Sequence, residues 1–145
     1  MGPCRGGGWL RSGWPEWSWF SRRAHSPRRS CFIGTVKILT DGEDDTIIAC
    51  GIMFVRALQA AEEPRRDGVD LSVVEIYTIK QLDVELVIAC PLETGAVITA
   101  EEHTILGGLR GAVAECFAGN FPISVERVGI ADTFAESGPL SRFVG

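Results

Sequence analysis

Downstream of residue 34, the hydrophobic positions alternate between runs typical of strands and runs with a helical period. A half-exposed strand is predicted over residues 35–39, where apolar and polar side chains alternate around Lys37. Asp41 and Gly42 predict a hairpin turn after it. The remaining strand candidates are TIIAC (46–50), LSVVEIY (71–77), AVITAE (96–101) and VERVGI (125–130).

Between these strands, the hydrophobic positions recur with a helical period. Residues 53–63 carry apolar side chains on one helical face. Pro64 predicts that this helix ends near Glu63, because proline has no backbone N–H to donate. Further helices are predicted over residues 84–90 and 112–118. Strands that alternate with helices predict right-handed crossovers and a mostly parallel sheet covered on both faces, so the fold class is α/β.

Composition sets the N-terminal region apart from the rest. Residues 1–30 hold six arginines and one acid, Glu16, together with all four tryptophans and no regular period. We therefore expect residues 1–33 to be a basic leader that is disordered or foreign to the fold, and residues 34–145 to form one domain. A targeting segment, an interaction arm and a stretch foreign to the natural protein all stay open as explanations of the leader.

Charge and cysteine content narrow the function classes. Beyond residue 30 the chain has eight basic and eighteen acidic side chains. Because this acidic part of the chain repels the phosphate groups of nucleic acids, nucleic-acid binding is not expected. No apolar run approaches the roughly 20 residues of a membrane-spanning helix, so no membrane association is expected. Five cysteines without a CxxC pair indicate free thiols in a reducing compartment, and a cytoplasmic location is expected.

The richest candidate chemistry lies in residues 101–108, EEHTILGG. Ligands gather at the carboxyl ends of parallel strands, where helix N-termini converge. Glu102 beside His103 would suit a base with its orienting carboxylate, and the backbone at Gly107 and Gly108 would suit an anion at the next helix. The alternative interpretation is structural: adjacent strand residues point to opposite faces, His103 caps a loop, and the glycines permit close helix packing.

Several segments of the chain resemble, in order and spacing, the C-terminal domain of the transketolase family. The segments are TIIACG (46–51), VVEIYTIKQLD (73–83), ETGAVITAEEHTILGGL (93–109), AVAE (112–115), RVGIADTF (127–134) and ESGPL (136–140). The combination of EEH-x3-GGL with DTF-x-ESG carries most of the specificity. Gln81 and Arg110 depart from the family, which usually has proline and a small residue at these positions.

The resemblance implies a three-layer α/β/α sandwich around a five-stranded mixed sheet, with the first strand antiparallel to the others. It also implies an origin in thiamine diphosphate enzymes that transfer two-carbon ketol units between sugar phosphates. In that family the cofactor and its Mg²⁺ are held by other domains, so no catalytic, cofactor-binding or metal-binding residue is expected in this chain. The isolated chain is expected to be an inactive organising module, partnered by a second copy or by a chain that carries the thiamine diphosphate domains.

Two other functions stay open. The first is a small regulatory module that binds a phosphate or nucleotide through Lys80, His103 and the glycine turn, and the second is a protein-interaction domain that docks through its sheet edge or helices. The candidate ligand or interface residues are Lys80, Glu101, Glu102, His103, Gly107, Gly108, Asp132 and Ser137.

Overall fold

The computed structural model describes Gly34 and residues 36–40, 42–92 and 94–134. The predicted leader, residues 1–33, lies outside this range. The elements of the described part are β1 (Val36–Thr40), β2 (Asp45–Ala49), α1 (Met53–Arg66), β3 (Leu71–Ile76), α2 (Val84–Ala89), a 3₁₀ turn (Cys90–Leu92), β4 (Ala96–Thr104), α3 (Leu109–Asn120) and β5 (Ser124–Ile130). None of the helices in these ranges has the length and apolar character needed to cross a membrane.

The strands form a mixed sheet in the order β1-β3-β2-β4-β5. β1 is antiparallel to β3, and the other neighbours are parallel. This arrangement confirms the α/β class and the antiparallel first strand. The predicted hairpin after β1 is wrong, because β3 lies between β1 and β2. Gly42 packs on the backbone of Asp70 and Leu71, where a side chain has no room, so the turn carries the chain past the start of β3.

The two faces of the sheet are covered by different helices. Ile48 and Val74 belong to a buried cluster that includes Phe117 of α3 and residues of α2. Ile47 and its neighbours on the same face belong to a second cluster that includes Ala57 of α1. Because successive strand residues point to opposite faces, each central strand contributes to both clusters. The result is the three-layer sandwich that the resemblance implied.

The structure corrects the predicted end of the first helix. α1 includes Pro64 and continues to Arg66 instead of ending near Glu63. Pro64 lacks only its own N–H, and its carbonyl oxygen accepts hydrogen bonds from the amides of Asp67 at 2.9 Å and Val69 at 3.0 Å. The hydrogen bonds at the C-terminus of α1 therefore form without the N–H that Pro64 lacks.

The second helix begins at Val84 as predicted and ends at Ala89, one residue before the predicted end. Asp83 caps it through a 3.2 Å hydrogen bond from the amide of Leu86 to Oδ1, and α2 passes into the 3₁₀ turn at Cys90.

The bounds of the last long strand and of the helix after it differ more from the prediction. β4 continues to Thr104, and α3 begins already at Leu109. Consequently the EEH motif lies inside a strand.

Candidate functional site

The candidate residues are distributed over three strand ends. Glu101, Glu102 and His103 lie in β4, and Gly107 and Gly108 belong to the loop before α3. Asp132 follows the neighbouring β5 and is exposed, as is Lys80, which follows β3. β2 separates β3 from β4, so the strand that leads to Lys80 is not adjacent to the strand of the EEH motif. Ser137 lies outside the described residues.

Glu101 is the centre of the cluster. Its side chain is fully buried, and its carboxylate accepts hydrogen bonds from the first two amides of α3. The amide of Leu109 donates to Oε2 at 2.6 Å, and the amide of Arg110 donates to Oε1 at 3.2 Å. Amides at a helix N-terminus have no partner within the helix and carry partial positive charge. The carboxylate of Glu101 on β4 therefore supplies hydrogen-bond acceptors and negative charge to the N-terminus of α3.

His103 completes the contacts of the carboxylate. Its Nε2 lies 2.7 Å from Oε2 of Glu101, while 40% of its side chain stays exposed. Residues two apart on a strand share a face, whereas Glu102, between them, points the other way. The structure thus pairs His103 with Glu101 and not with Glu102. The structural interpretation was right that adjacent residues point apart, and His103 is the second-to-last residue of β4 before the loop.

Two glycines make room for this arrangement. A side-chain carbon on Gly108 would overlap the carboxylate of Glu101 and the imidazole of His103. On the neighbouring strand β5, a carbon on Gly129 would lie 3.1 Å from Cγ of Glu101 and 2.9 Å from a methyl carbon of Ile105. The glycine before α3 is therefore required by the packing of the buried carboxylate, and not only by the turn.

Cys50 lies close enough to this cluster for the charges of Glu101 and Glu102 to act on its thiol. It follows β2, and its amide donates a 3.2 Å hydrogen bond to the carbonyl of Ala100 on β4. Burial, and then the negative charges of Glu101 and Glu102, raise the pKa of the Cys50 thiol to about 11. Since the thiolate is the reactive form, this cysteine is a poor nucleophile at neutral pH.

The chemical capacity of this edge is limited by these internal contacts. Among the described residues, no three histidine, cysteine, aspartate or glutamate side chains are grouped so as to hold a metal ion. The α3 amides that would bind a phosphate already bind Glu101. The described residues of this cluster therefore do not fit a diphosphate with its Mg²⁺ at this position.

Sequence reasoning missed the backbone partners of the motif. It did not foresee the amides of Leu109 and Arg110 as the groups that bind a carboxylate, and it assigned the histidine to the wrong glutamate. One signal was available: a strand period extended past residue 101 places Glu101 and His103 on the same face. The contact with α3 has no comparable signal, because it depends on how the loop returns the chain to the sheet.

The chain matches a known protein family over most of its length. Residues 34–144 match the family model described as the C-terminal domain of transketolase. The 6-deoxy-6-sulfo-D-fructose transketolase subunit SqwH of Clostridium sp. (strain MSTE9) is 43% identical over 106 residues, which are 73% of this chain and 33% of that protein. A putative transketolase C-terminal section of Methanocaldococcus jannaschii is 45% identical over 107 residues, again 73% of this chain and 33% of that protein.

A longer relative and a solved structure support membership of the same family. The 1-deoxy-D-xylulose-5-phosphate synthase 1 of Geobacter sulfurreducens is 41% identical over 109 residues, which are 74% of this chain and 17% of that protein. A solved structure described as a split gene transketolase, inactive beta4 tetramer, has a TM-score of 0.73 and 40% identity, covering 92% of this chain and 42% of that chain. The chain spans about a third or less of the length of these curated relatives.

Proposed function

Because the chain belongs to the family of transketolase C-terminal domains, we propose that it serves as an organising module of a thiamine diphosphate enzyme. The reaction proposed for the whole enzyme is the transfer of two-carbon ketol units between sugar phosphates. The module takes no part in the chemical step and associates with a second copy of itself or with a chain that carries the thiamine diphosphate domains. Family membership itself confirms the resemblance seen in the sequence, and the parent enzymes of the family depend on thiamine diphosphate.

The observation that carries the proposal is the match over residues 34–144, which contains the whole described domain. Relatives of this domain include a chain named as a transketolase subunit and one named as a C-terminal section. The similar solved structure is described as a split gene transketolase that forms a tetramer. These descriptions support a role in which the domain works together with other chains.

The local chemistry supports a non-catalytic role. The carboxylate of Glu101 is engaged by the α3 amides and by His103, so it is not available as a base. Cys50 stays protonated at neutral pH, because its pKa is raised to about 11. Exposed apolar side chains near the ends of β4 and β5, Leu106 at 54% and Val128 at 49% exposure, offer contact area to a partner.

A reconstitution assay tests this function. The purified chain, supplied with thiamine diphosphate, Mg²⁺, a ketose phosphate donor and an aldose phosphate acceptor, should give no transfer. Addition of the thiamine diphosphate-binding chain encoded in the same genome should give turnover, and light scattering after size exclusion should show the two chains in one complex. Turnover by the chain alone, or the absence of both complex and turnover in the mixture, contradicts the proposal.

The regulatory-module alternative predicts a different result. It needs free donors around the start of α3, and the amides of Leu109 and Arg110 already donate to Glu101. A ligand that binds only the native state raises the melting temperature. We therefore expect phosphorylated metabolites and nucleotides to leave the melting temperature of the chain unchanged. A saturable rise with one of them would favour the regulatory module.

A further inference from the structure

The surroundings of the Glu101 carboxylate have the composition of an anion-binding pocket. Three donors converge on its two oxygens: the amides of Leu109 and Arg110 at 2.6 and 3.2 Å, and Nε2 of His103 at 2.7 Å. Backbone amides at a helix N-terminus and a cationic or N–H side chain are the groups that proteins commonly use to bind phosphates and carboxylates. Here the anion is part of the chain itself.

The space around the carboxylate is shaped for this internal anion. The side chain of Glu101 is fully buried. Gly108 leaves no room for a side chain between the carboxylate, the imidazole and α3, and Gly129 lies against the stem of the glutamate from β5. The pocket is thus closed by neighbouring elements on at least two sides, and its occupant is held by the backbone of β4.

We propose that Glu101 is a tethered anion, which fills a three-donor pocket at the start of α3 and keeps external anions out. Its role is that of a positioning residue, because it joins the end of β4 to the first turn of α3. Removal of its carboxylate would leave the donors unpaired and open the pocket to a small carboxylate. This inference does not depend on ketol transfer, and its test does not measure activity.

The test is replacement of the lost carboxylate by formate. The full chain with Glu101→Ala is titrated with sodium formate, and sodium chloride at equal ionic strength serves as the reference. At saturation, formate should raise the melting temperature of Glu101→Ala by about 4–8 °C more than chloride does. In ¹⁵N-labelled protein, the amide signals of Leu109 and Arg110 should shift saturably over the same concentration range. The unsubstituted chain should show neither response to formate or inorganic phosphate.

Two variants serve as matched controls. Glu101→Gln keeps the volume of the side chain, so the pocket stays filled and formate should have no effect beyond that of chloride. Glu102→Ala removes the exposed neighbour on the same strand and should likewise show no formate response. If Glu101→Ala is unfolded in chloride, formate should restore its folded fraction.

The proposal is overturned if formate and chloride act alike on Glu101→Ala, including the case in which that variant stays unfolded at every formate concentration. It is equally overturned if phosphate shifts the Leu109 and Arg110 amides of the unsubstituted chain, since the pocket would then accept external anions with Glu101 in place.

Discussion

Two helices begin at the same end of the sheet, but their N-termini are stabilised in different ways. α1 follows β2 and begins at Met53, and no side chain caps it. α3 follows the neighbouring β4 and begins at Leu109, and the carboxylate of Glu101 binds its first two amides. Neither helix has an acidic residue in its first turn. α3 therefore receives from a strand the negative charge that its own sequence does not supply.

The two adjacent carboxylates of β4 account for this difference. Glu101 points to the side of α3 and is buried, whereas Glu102 is exposed and its Oε1 lies near Gly51, which precedes α1. The buried carboxylate is shielded from water and has three donors, so each interaction is strong. The exposed carboxylate is screened by solvent and salt. Burial and donor geometry, rather than mere proximity to a helix end, therefore decide what these two carboxylates contribute to stability.

The largest expected effect is the loss of the buried charge. Glu101→Gln should lower the free energy of unfolding by about 2–4 kcal/mol, because an amide replaces a carboxylate among donors that are directed at it. Its matched control, Glu102→Gln, should change the free energy of unfolding by less than about 0.5 kcal/mol. Urea unfolding followed by circular dichroism measures both. Equal losses in the two variants would contradict the distinction between the carboxylates.

A smaller effect is expected from the glycine that faces the buried carboxylate. Gly108→Ala should lower the free energy of unfolding by about 1–3 kcal/mol, because the added methyl group displaces Glu101 or His103. Gly111, in the same helix, has no atom near the position of an added methyl group. Gly111→Ala should therefore stabilise the chain by up to about 1 kcal/mol through helix propensity. Urea unfolding of both variants checks this, and a stabilising Gly108→Ala would show that the packing described here is wrong.

The smallest effect is expected at Cys50, whose pKa responds to burial first and then to the charges of Glu101 and Glu102. Glu102→Gln should lower the pKa of Cys50 slightly from about 11, which the pH dependence of iodoacetamide labelling of the Cys50 peptide measures. An unchanged or higher pKa would show that the exposed carboxylate does not act on the thiol.

The raised pKa of Cys50 also sets a pH window for stability. The folded value, about 11, lies above the reference value of 9.0, so the fold favours the protonated thiol. The stability that this preference contributes is fully present below about pH 9 and is lost as pH rises toward about pH 11. Cys50→Ala should show a smaller loss of stability over this range in urea unfolding.

Much of the fold could be predicted from local pattern. The apolar runs at 46–50, 71–77 and 96–101 became central strands, because strands buried on both faces need apolar side chains at every position. Pattern alone did not place β3 between β1 and β2. That pairing depends on contacts between segments distant in the sequence, such as the packing of Gly42 on the start of β3.

The candidate site was predicted less well than the fold. The sequence identified the EEH motif and the glycine turn as neighbours, and it left open whether the backbone at Gly107 and Gly108 binds an external anion or only permits close helix packing. In the structure the first two amides of α3, which directly follow the glycine turn, bind the internal carboxylate of Glu101. Period-2 alternation could have paired Glu101 with His103, whereas the contact with Leu109 required the path of the loop between them.

Amide hydrogen exchange of the unsubstituted chain, followed by NMR, tests the tethered carboxylate most directly. It compares the first amides of the two helices, Met53 in α1 and Leu109 in α3, within one molecule. We expect the Leu109 amide, which donates to Glu101 at 2.6 Å, to exchange at least about tenfold more slowly than the Met53 amide, which no side chain caps. Equal exchange rates, or faster exchange at Leu109, would show that the Glu101 carboxylate does not hold the start of α3.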